Sequence, residues 1–256
     1  MAHVERLRVY PVKALEGTDV DEARIREGGT LTGDRAYAIF DGDREVINGK
    51  RTGRVNELGA EYDPESGLFT VETPTGERRE FDLDAERERA TAWFGEFFDE
   101  DVYIAHDTET GYVDRQRMGP SVISTATLET VASWFDEMSV ESARRRLRAN
   151  IEVGDVPAFW EDRFVGVDAP AFEAGGVRIE GVTPCGRCIV PARDPDTGHP
   201  LEEFQQRFVE KREGTFPEWA DREAFDHFYT LMLIARVPEA DRGETLRVGD
   251  PVEVVE

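Results

Sequence analysis

The chain contains only two cysteines, Cys185 and Cys188, and they stand three positions apart late in the sequence. Neighbouring thiols at this spacing serve three kinds of chemistry: dithiol redox exchange, structural zinc binding, and ligation of a soft metal by one thiolate. The residues around the pair decide which of these chemistries fits.

Dithiol exchange fits the pair poorly. It needs the first cysteine at the N-terminus of a helix, where the helix dipole lowers the pKa of the thiol. Pro191 and Pro195 follow Cys188 closely, and a helix of useful length cannot run through them. The sequence before the two cysteines also lacks the strand–helix–strand pattern that precedes the motif in a dithiol redox protein.

A structural zinc site is short of ligands. Such a site needs four protein ligands, and the histidines that could join the cysteines are His3, His106, His199 and His227. No two of them have the close spacing of a zinc finger. A structural zinc protein or a plain scaffold protein therefore remains only an alternative.

The third chemistry needs only one of the two cysteines. A single thiolate binds a soft, higher-valent metal, and an organic cofactor with oxo groups completes the coordination. Arg187 stands beside Cys188, and a neighbouring cation favours the thiolate form of a cysteine.

The whole chain is strongly acidic, which makes any basic cluster informative. Its 256 residues carry a formal net charge of −24. Such a surface repels nucleic-acid backbones and anionic lipids, so we expect neither nucleic acid nor a membrane as a partner. The sequence also has no apolar run of the ~20 residues that a transmembrane helix needs.

Almost all of the basic residues are arginine, and lysine is rare. Of 31 Lys and Arg residues, only Lys13, Lys50 and Lys211 are lysine. An acidic surface with so little lysine suits a very salty cytoplasm, where the Debye length falls to ~3 Å at 1 M salt. We therefore predict a halophilic protein, and we expect it to be cytoplasmic because its start lacks the apolar stretch of a signal peptide.

The pattern of apolar residues predicts strands at both ends of the chain and helices between them. Short strands at even spacing over the first 80 residues favour a barrel or sandwich element. Helical spacing predicts a helix over Val140–Leu147. Later we expect a strand over Ile189–Ala192, a polar segment over Leu201–Lys211, and a helix or strand over Phe225–Val237.

Six short motifs, spread over the whole chain, resemble in order and spacing those of one known family. They are Val9–Lys13, Asp34–Tyr37, Ile47–Val55, Leu147–Ile151, Cys185–Gly198 and Leu246–Val252. Together they resemble the MOSC family, the molybdenum cofactor sulfurase C-terminal domain proteins. The most similar branch includes the mitochondrial amidoxime-reducing component.

This resemblance implies a β-rich α+β fold, with a small N-terminal barrel-like domain packed on a MOSC β-barrel that carries peripheral helices. We expect the N-terminal MOSC-associated domain over residues 1–105 and the MOSC domain over residues 106–256. The two domains should be packed against each other, since no Pro/Gly/Ser-rich linker separates them.

The resemblance also implies a molybdenum cofactor, a molybdopterin with its metal, held between the two domains. Cys188 would be both the metal ligand and the catalytic residue. In an acidic protein the cofactor phosphate needs local positive charge, and arginine is its better partner because the guanidinium fork binds in a bidentate manner. The implied cofactor-binding residues are Lys13, Arg35, Lys50, Arg148, Asn150 and Arg187.

The chain departs from the family pattern at some of these motifs. Ala14 stands where relatives often carry Ser, which removes a hydroxyl that could bind phosphate. Lys50 replaces an Arg, and Ala149 replaces the Pro of an Arg-Pro-Asn motif.

By resemblance, the expected activity is that of a molybdenum-dependent oxidoreductase that reduces small N-hydroxylated compounds. The chain has neither the four cysteines of an iron–sulfur cluster nor a Gly-rich dinucleotide fingerprint. A separate electron-donor protein must therefore supply the electrons. A carrier of molybdenum cofactor or sulfur, without turnover, remains open as an alternative.

Overall fold

The computed structural model describes residues 1–115 and 118–256. Within them the fold is α+β and rich in strands, which confirms the predicted fold class. The strands are β1 His3–Val9, β2 Thr18–Val20, β3 Glu22–Arg24, β4 Tyr37–Asp41, β5 Gly59–Tyr62, β6 Leu68–Glu72, β7 Arg78–Asp82, β8 Val102–His106, β9 Ser121–Ser124, β10 Ile151–Gly154, β11 Ala171–Ala174, β12 Val177–Gly186, β13 Thr230–Arg236, β14 Thr245–Arg247 and β15 Val252–Val255. The helices are α1 Arg87–Phe98, α2 Thr125–Ser133, α3 Val140–Leu147 and α4 Phe204–Gly214.

Eight strands form one large sheet in the order β15-β11-β12-β13-β9-β10-β1-β2. Backbone hydrogen bonds also join β1 to the turn before β15: the N–H of Val4 donates to the carbonyl of Asp250 at 2.8 Å, and the N–H of Gly249 donates to the carbonyl of Val4 at 2.8 Å. The sheet therefore curls back on itself around an apolar core that includes Leu7 and Phe172.

The N-terminal part builds a second core beside this sheet. Strand β4 pairs with β8, strands β5, β6 and β7 form a three-stranded sheet, and α1 packs against them. Helix α1 buries Ala90, Phe94 and Phe98, which recur every four residues, so one stripe of the helix faces the core. Phe69 and Phe81 meet this stripe from the three-stranded sheet.

Strand β1 joins the two halves of the chain. It pairs antiparallel with β10, with Leu7 opposite Ile151, so the N-terminal half contributes directly to the large sheet. The domain boundary at residues 105 and 106 remains a prediction. Across the described ranges, no helix has both the length and the apolar character that would let it cross a bilayer.

Helix α3 has the bounds predicted from the sequence. It begins after Ser139, whose hydroxyl accepts a hydrogen bond from the N–H of Ser142 at 3.0 Å, which is the usual N-cap arrangement. It ends at Arg148, which adopts the left-handed conformation with φ 61°. The left-handed residue turns the chain towards β10 and fixes the position of the Arg148 Cα atom, from which the side chain extends.

The strand expected over Ile189–Ala192 is wrong. The chain there forms a short 3-10 helix over Val190–Ala192, because Pro191 has no N–H to donate to a strand ladder. The apolar segment over Phe225–Val237, left open between helix and strand, contains β13.

The polar segment expected over Leu201–Lys211 is largely helical and contains most of α4. This helix buries Phe204, Phe208 and Arg212 along one stripe. Because the third member of the stripe is an arginine, the apolar periodicity that predicts a helix is broken in the sequence.

Arg212 belongs to a cluster of charges buried in the core. It is 0% exposed and forms an ion pair with Asp162, which is 3% exposed. The neighbouring Glu161 is 1% exposed, and its Oε2 accepts a hydrogen bond from the hydroxyl of Thr127 at 3.1 Å. Burial, and then the negative charge of Asp162, raise the pKa of Glu161 above its ordinary value of 4.5.

The Glu161→Gln variant is expected to remove a pH dependence of stability. A raised pKa in the folded state means that folding favours the protonated carboxyl. The free energy of unfolding should therefore fall as pH rises above about 4.5, by up to about 1.4 kcal/mol per pH unit, until the folded-state pKa is passed. Urea unfolding between about pH 4.5 and pH 9 measures this slope. An equal slope in the variant would assign the effect to other groups.

The prediction of a halophilic protein can be tested by measuring how salt changes the thermal stability. The charge of −24 destabilises the compact state by self-repulsion, and salt screens that repulsion. Raising KCl from about 0.1 M to about 2 M should raise the Tm by several degrees. Thermal unfolding followed by circular dichroism checks this, with sucrose of equal osmolality as the control. A flat or falling Tm in KCl would contradict the prediction.

Candidate active site

A cavity of about 370 Å³ lies between the N-terminal elements and the large sheet. Its wall is formed by the loops on either side of β4, the segment before β9, the end of α3, and the end of β12 with the loop that follows. All seven residues that the sequence analysis selected line this cavity: Lys13, Arg35, Lys50, Arg148, Asn150, Arg187 and Cys188. Cys185 lines it as well.

The charge of the wall is opposite to the charge of the molecule. Among the residues that the structure describes, nine basic ones line the cavity: Lys13, Arg35, Lys50, Arg115, Arg145, Arg146, Arg148, Arg187 and Arg193. Three acidic residues of the same described set line it: Glu16, Asp34 and Asp114. In a chain with a net charge of −24, such a concentration of cations favours an anionic ligand.

Lys13 and Arg35 enter the wall from two loops of the N-terminal part. The Nζ of Lys13 lies 2.5 Å from Oδ1 of Asp114, and Arg35 forms an ion pair with buried Asp34. Burial would raise the pKa of Asp114, but the hydrogen bond and charge of Lys13, with the charges of Lys50 and Arg35, outweigh it and hold the pKa below its ordinary value. An ionised Asp114 therefore orients Lys13 at the wall.

Arg148 reaches the same region from the end of α3. Its guanidinium carbon lies 4.1 Å from the centre of the Tyr10 ring, and that of Arg35 lies 4.9 Å from the same centre. A cation–π contact holds an arginine without neutralising it. Burial lowers the pKa of Arg148, so its charge stands in an unfavourable environment while no anion is bound.

Asn150 is tied into the protein by its own side chain. Its Oδ1 accepts hydrogen bonds from the backbone N–H of Ser121 at 3.2 Å and from the hydroxyl of Ser121 at 3.0 Å. Its Nδ2 donates to the carbonyl of Arg8 at 3.1 Å. One amide N–H remains for a ligand, so a contact between Asn150 and a cofactor stays a prediction.

Cys188 is partly exposed and stands in the loop after β12. The hydroxyl of Tyr229 donates to the carbonyl of Cys188 at 2.9 Å. The backbone N–H of Arg187 donates to the carbonyl of Tyr229 at 2.8 Å. These two bonds hold the backbone of the loop, so the Cys188 side chain starts from a fixed position at the cavity wall.

The side chain of Arg187 contacts the other cysteine. Its Nη1 lies 3.3 Å from Sγ of Cys185, and its Nη2 donates to the carbonyl of Leu147 at 3.0 Å. Residues two apart in an extended chain share a face, which explains why Arg187 meets Cys185. The sequence analysis expected this cation to favour the thiolate of Cys188, and that effect remains a prediction beside the observed contact with Cys185.

Lys50 is exposed, in the loop after β4. Its backbone N–H donates to Oδ1 of Asn48 at 2.9 Å. Among the predicted cations it is the most solvated, so an ion pair that it forms should contribute little to binding.

Sequence reasoning missed several wall residues. Arg146 is 7% exposed, and its Nη1 donates to the carbonyl of Pro191 at 3.1 Å, which ties the loop after Cys188 to α3. The Nε of Arg193 donates to the carbonyl of Gly49 at 2.7 Å. The arginine run of α3 was a signal for Arg146, whereas Arg193 follows from the fold alone.

Polar atoms at the wall offer the bonds that a phosphorylated heterocycle needs. The Nη2 of Arg148, the Nε of Arg187 and the Oδ1 of Asn56 are buried and have no hydrogen-bond partner within residues 1–115 and 118–256. Guanidinium donors suit phosphate oxygens, and an amide oxygen suits the N–H edge of a heterocycle. A thiol such as that of Cys188 is a ligand type that soft metals prefer, and together with it this set of groups fits a molybdopterin.

The structure offers no comparable set for zinc. In the part of the chain that it describes, no three side chains of His, Cys, Asp or Glu are grouped so that they could hold a metal ion.

Models of two protein families match the chain and together span nearly all of it. The MOSC N-terminal beta barrel domain matches residues 1–138, and the MOSC domain matches residues 116–253. The chain therefore belongs to the MOSC family, and the resemblance of its motifs is confirmed.

Similar proteins include Mitochondrial amidoxime reducing component 2 from Macaca fascicularis, Homo sapiens and Bos taurus. Each is 24% identical to the chain over 291 residues, which cover 97% of this chain and 82% of the relative. By their name these relatives reduce amidoximes, so they are oxidoreductases. A solved structure, YiiM from Geobacillus stearothermophilus, has a TM-score of 0.35 and 12% identity over 54% of each chain, which is too low a similarity to support a conclusion.

Proposed function

We propose that this protein is a molybdenum-dependent oxidoreductase that reduces small N-hydroxylated compounds. The observation that carries the proposal is the cavity, in which basic residues outnumber acidic ones and Cys188 stands at the wall, although the whole chain is acidic. A phosphorylated pterin with a bound metal matches both the charge and the thiol. The amidoxime-reducing relatives support the substrate class.

The residues of this chain would divide the binding work. Lys13, Arg35 and Arg148 would hold the cofactor phosphate, with Lys50 at the edge of the cavity, and Cys188 would bind molybdenum. When bound, the cofactor supplies two-electron redox chemistry. The protein orients it through the loop bonds of Tyr229 and through the wall residues on both sides of the cavity.

We also propose a separate electron-donor protein as the partner and a cytoplasmic location. The chain has two cysteines, which is too few for a four-cysteine iron–sulfur cluster of its own. Electrons for the reduction must then arrive from outside the chain. The acidic, lysine-poor composition supports a salty cytoplasm as the setting.

Elemental analysis of protein purified at high salt from a molybdenum-competent host tests the proposal. We expect molybdenum near one atom per chain and steady reduction of an amidoxime in the presence of a reductant. Molybdenum without turnover would favour a carrier of the cofactor. Zinc in place of molybdenum would contradict both interpretations.

A further inference from the structure

Arg193 joins two loops at the cavity wall. Its Nε donates to the carbonyl of Gly49, in the loop after β4, at 2.7 Å. Its Nη1 donates to the carbonyl of Gly198, in the loop after β12, at 2.9 Å. The two loops also meet backbone to backbone: a methyl group placed on the Cα of Gly198 would lie 2.5 Å from the carbonyl oxygen of Gly53. The guanidinium of Arg193 is therefore held in one orientation.

These bonds hold the charge of Arg193 without neutralising it. Both acceptors are backbone carbonyls. The acids of the same loop pair with other arginines: Asp194 lies 3.2 Å from Nη2 of Arg146, and Asp196 lies 2.7 Å from Nη1 of Arg145. A guanidinium has five N–H groups and these two bonds use two of them, so three remain. That number is enough for both oxygens of one carboxylate.

Lys50 adds a second cation beside Arg193. It follows Gly49 directly, so its backbone nitrogen belongs to the peptide whose carbonyl accepts the bond from Arg193. Lys50 is exposed, Arg193 is half-buried, and both line the cavity. This part of the wall therefore faces the solvent from which a substrate enters.

The wall carries more positive charge than one phosphate needs. Among the described residues, nine basic and three acidic ones line it. Arg35 and Arg148 lie over the Tyr10 ring, at another part of the wall, and with Lys13 they form the group proposed above for the cofactor phosphate. The cations of the loops after β4 and β12 then remain for a different anion.

We propose that Arg193 and Lys50 form a second anion subsite, which binds a carboxylate carried by the N-hydroxylated substrate. This inference rests on the proposed function and narrows its substrate class to compounds with an acidic group. Arg193 supplies oriented N–H donors, and Lys50 adds a smaller contribution because it is solvated. Asp114, the wall acid that senses the charge of Lys50, is itself bound to Lys13 at 2.5 Å, so its own charge is largely compensated.

Two substrates of similar shape test the subsite. 4-Carboxybenzamidoxime carries a negative charge, and 4-carbamoylbenzamidoxime does not. We expect the oxidised, molybdenum-loaded wild-type protein, without a donor, to bind the carboxylate ~10-fold more tightly, the scale of a hydrogen bond to a charged group. Calorimetry at constant ionic strength measures both Kd values, and their difference should shrink between about 0.1 M and about 2 M KCl. Equal Kd values at the lower salt concentration would overturn the subsite.

The Arg193→Gln variant tests the main residue, with Arg242→Gln as the matched control. Arg242 likewise donates to two backbone carbonyls, those of Val237 at 3.4 Å and Glu27 at 2.8 Å, but it does not belong to the cavity wall described above. We expect the ratio of the two Kd values to fall close to one in Arg193→Gln and to keep its wild-type value in Arg242→Gln. A wild-type ratio in Arg193→Gln would contradict the proposal. Loss of molybdenum from this variant would also contradict it and would assign Arg193 to the cofactor.

The Lys50→Met variant provides a test that does not depend on the loop contacts of Arg193. Because Lys50 is exposed, its replacement should leave the fold intact. We expect the ratio of the two Kd values to fall by ~2–5-fold, the scale of a solvated ion pair. Lys211→Met is the control, since Lys211 is also exposed but lies on α4, outside the cavity wall described above. An unchanged ratio in Lys50→Met would count against the pair of cations.

The proposed function and the second subsite fail on different results. Wild-type protein that lacks molybdenum, or that does not reduce benzamidoxime, would contradict the proposed function. Wild-type protein that holds molybdenum and reduces benzamidoxime, but binds the charged and uncharged compounds equally, would contradict only the subsite.

Discussion

Replacing Cys188 with serine is expected to strip molybdenum from the protein and to abolish reduction of N-hydroxylated compounds. A thiolate suits a soft, higher-valent metal, whereas a serine hydroxyl is hard and stays protonated near neutral pH. Loss of a residue that only supports a metal ligand costs ~10–100-fold, so loss of the ligand itself should cost more. We expect at least ~100-fold less turnover, with metal content measured by elemental analysis.

Cys185→Ser is the matched control for this prediction. Both thiols line the cavity and both are partly exposed, but Cys185 is the one that Arg187 contacts, at 3.3 Å. We expect this variant to keep its molybdenum and most of its turnover. If Cys185→Ser lost the metal while Cys188→Ser kept it, the ligand would have to be reassigned.

The parts of the fold that could be predicted are those in which local signals agree. Helix α3 has a serine cap before it and a helical pattern within it, and its predicted bounds are confirmed. Helix α4 was not predicted because Arg212 lies on its buried stripe, where the helical pattern calls for an apolar residue. The ion-pair partner of Arg212 is Asp162, which is fifty positions away in the sequence. Closure of the large sheet likewise depends on pairing between β1 and the turn before β15, which no local pattern contains.

The site shows the same division between local and distant information. The motifs that resemble the MOSC family pointed to Lys13, Arg35 and Cys188, and the fold brings these residues to one cavity. The sequence could not show that the Arg187 side chain contacts Cys185, since that contact depends on the course of the chain after β12. Nor could the sequence show that the Tyr10 ring makes cation–π contacts with two arginines, because Arg35 and Arg148 meet that ring only in the folded protein.

Arg148 has two opposing effects, on ligand binding and on stability, and Arg148→Met should separate them. With no anion bound, its Nη2 is buried and has no partner in the described ranges, and burial lowers the pKa of the guanidinium. Replacing even a paired buried charge with well-packed apolar side chains is often neutral or stabilises a protein by about 1–4 kcal/mol, so removing an unpaired one should not destabilise it. Loss of the contact with Tyr10 offsets about 0.5–2 kcal/mol of that gain. We therefore expect urea unfolding of the cofactor-free variant to show equal or greater stability.

The same substitution should weaken anion binding strongly. A hydrogen bond to a charged group contributes about 1.5–3 kcal/mol, which corresponds to a ~10–100-fold higher Kd for inorganic phosphate, measured by calorimetry at constant ionic strength. Arg54→Met is the control, because Arg54 also lies over an aromatic ring, that of Phe97 at 4.6 Å, but is exposed and outside the cavity wall described above. A residue retained only for folding would change stability and leave phosphate affinity intact. A residue retained for an anion should do the reverse, and the unpartnered Nη2 of Arg148, on a residue of the cavity wall, favours this second role.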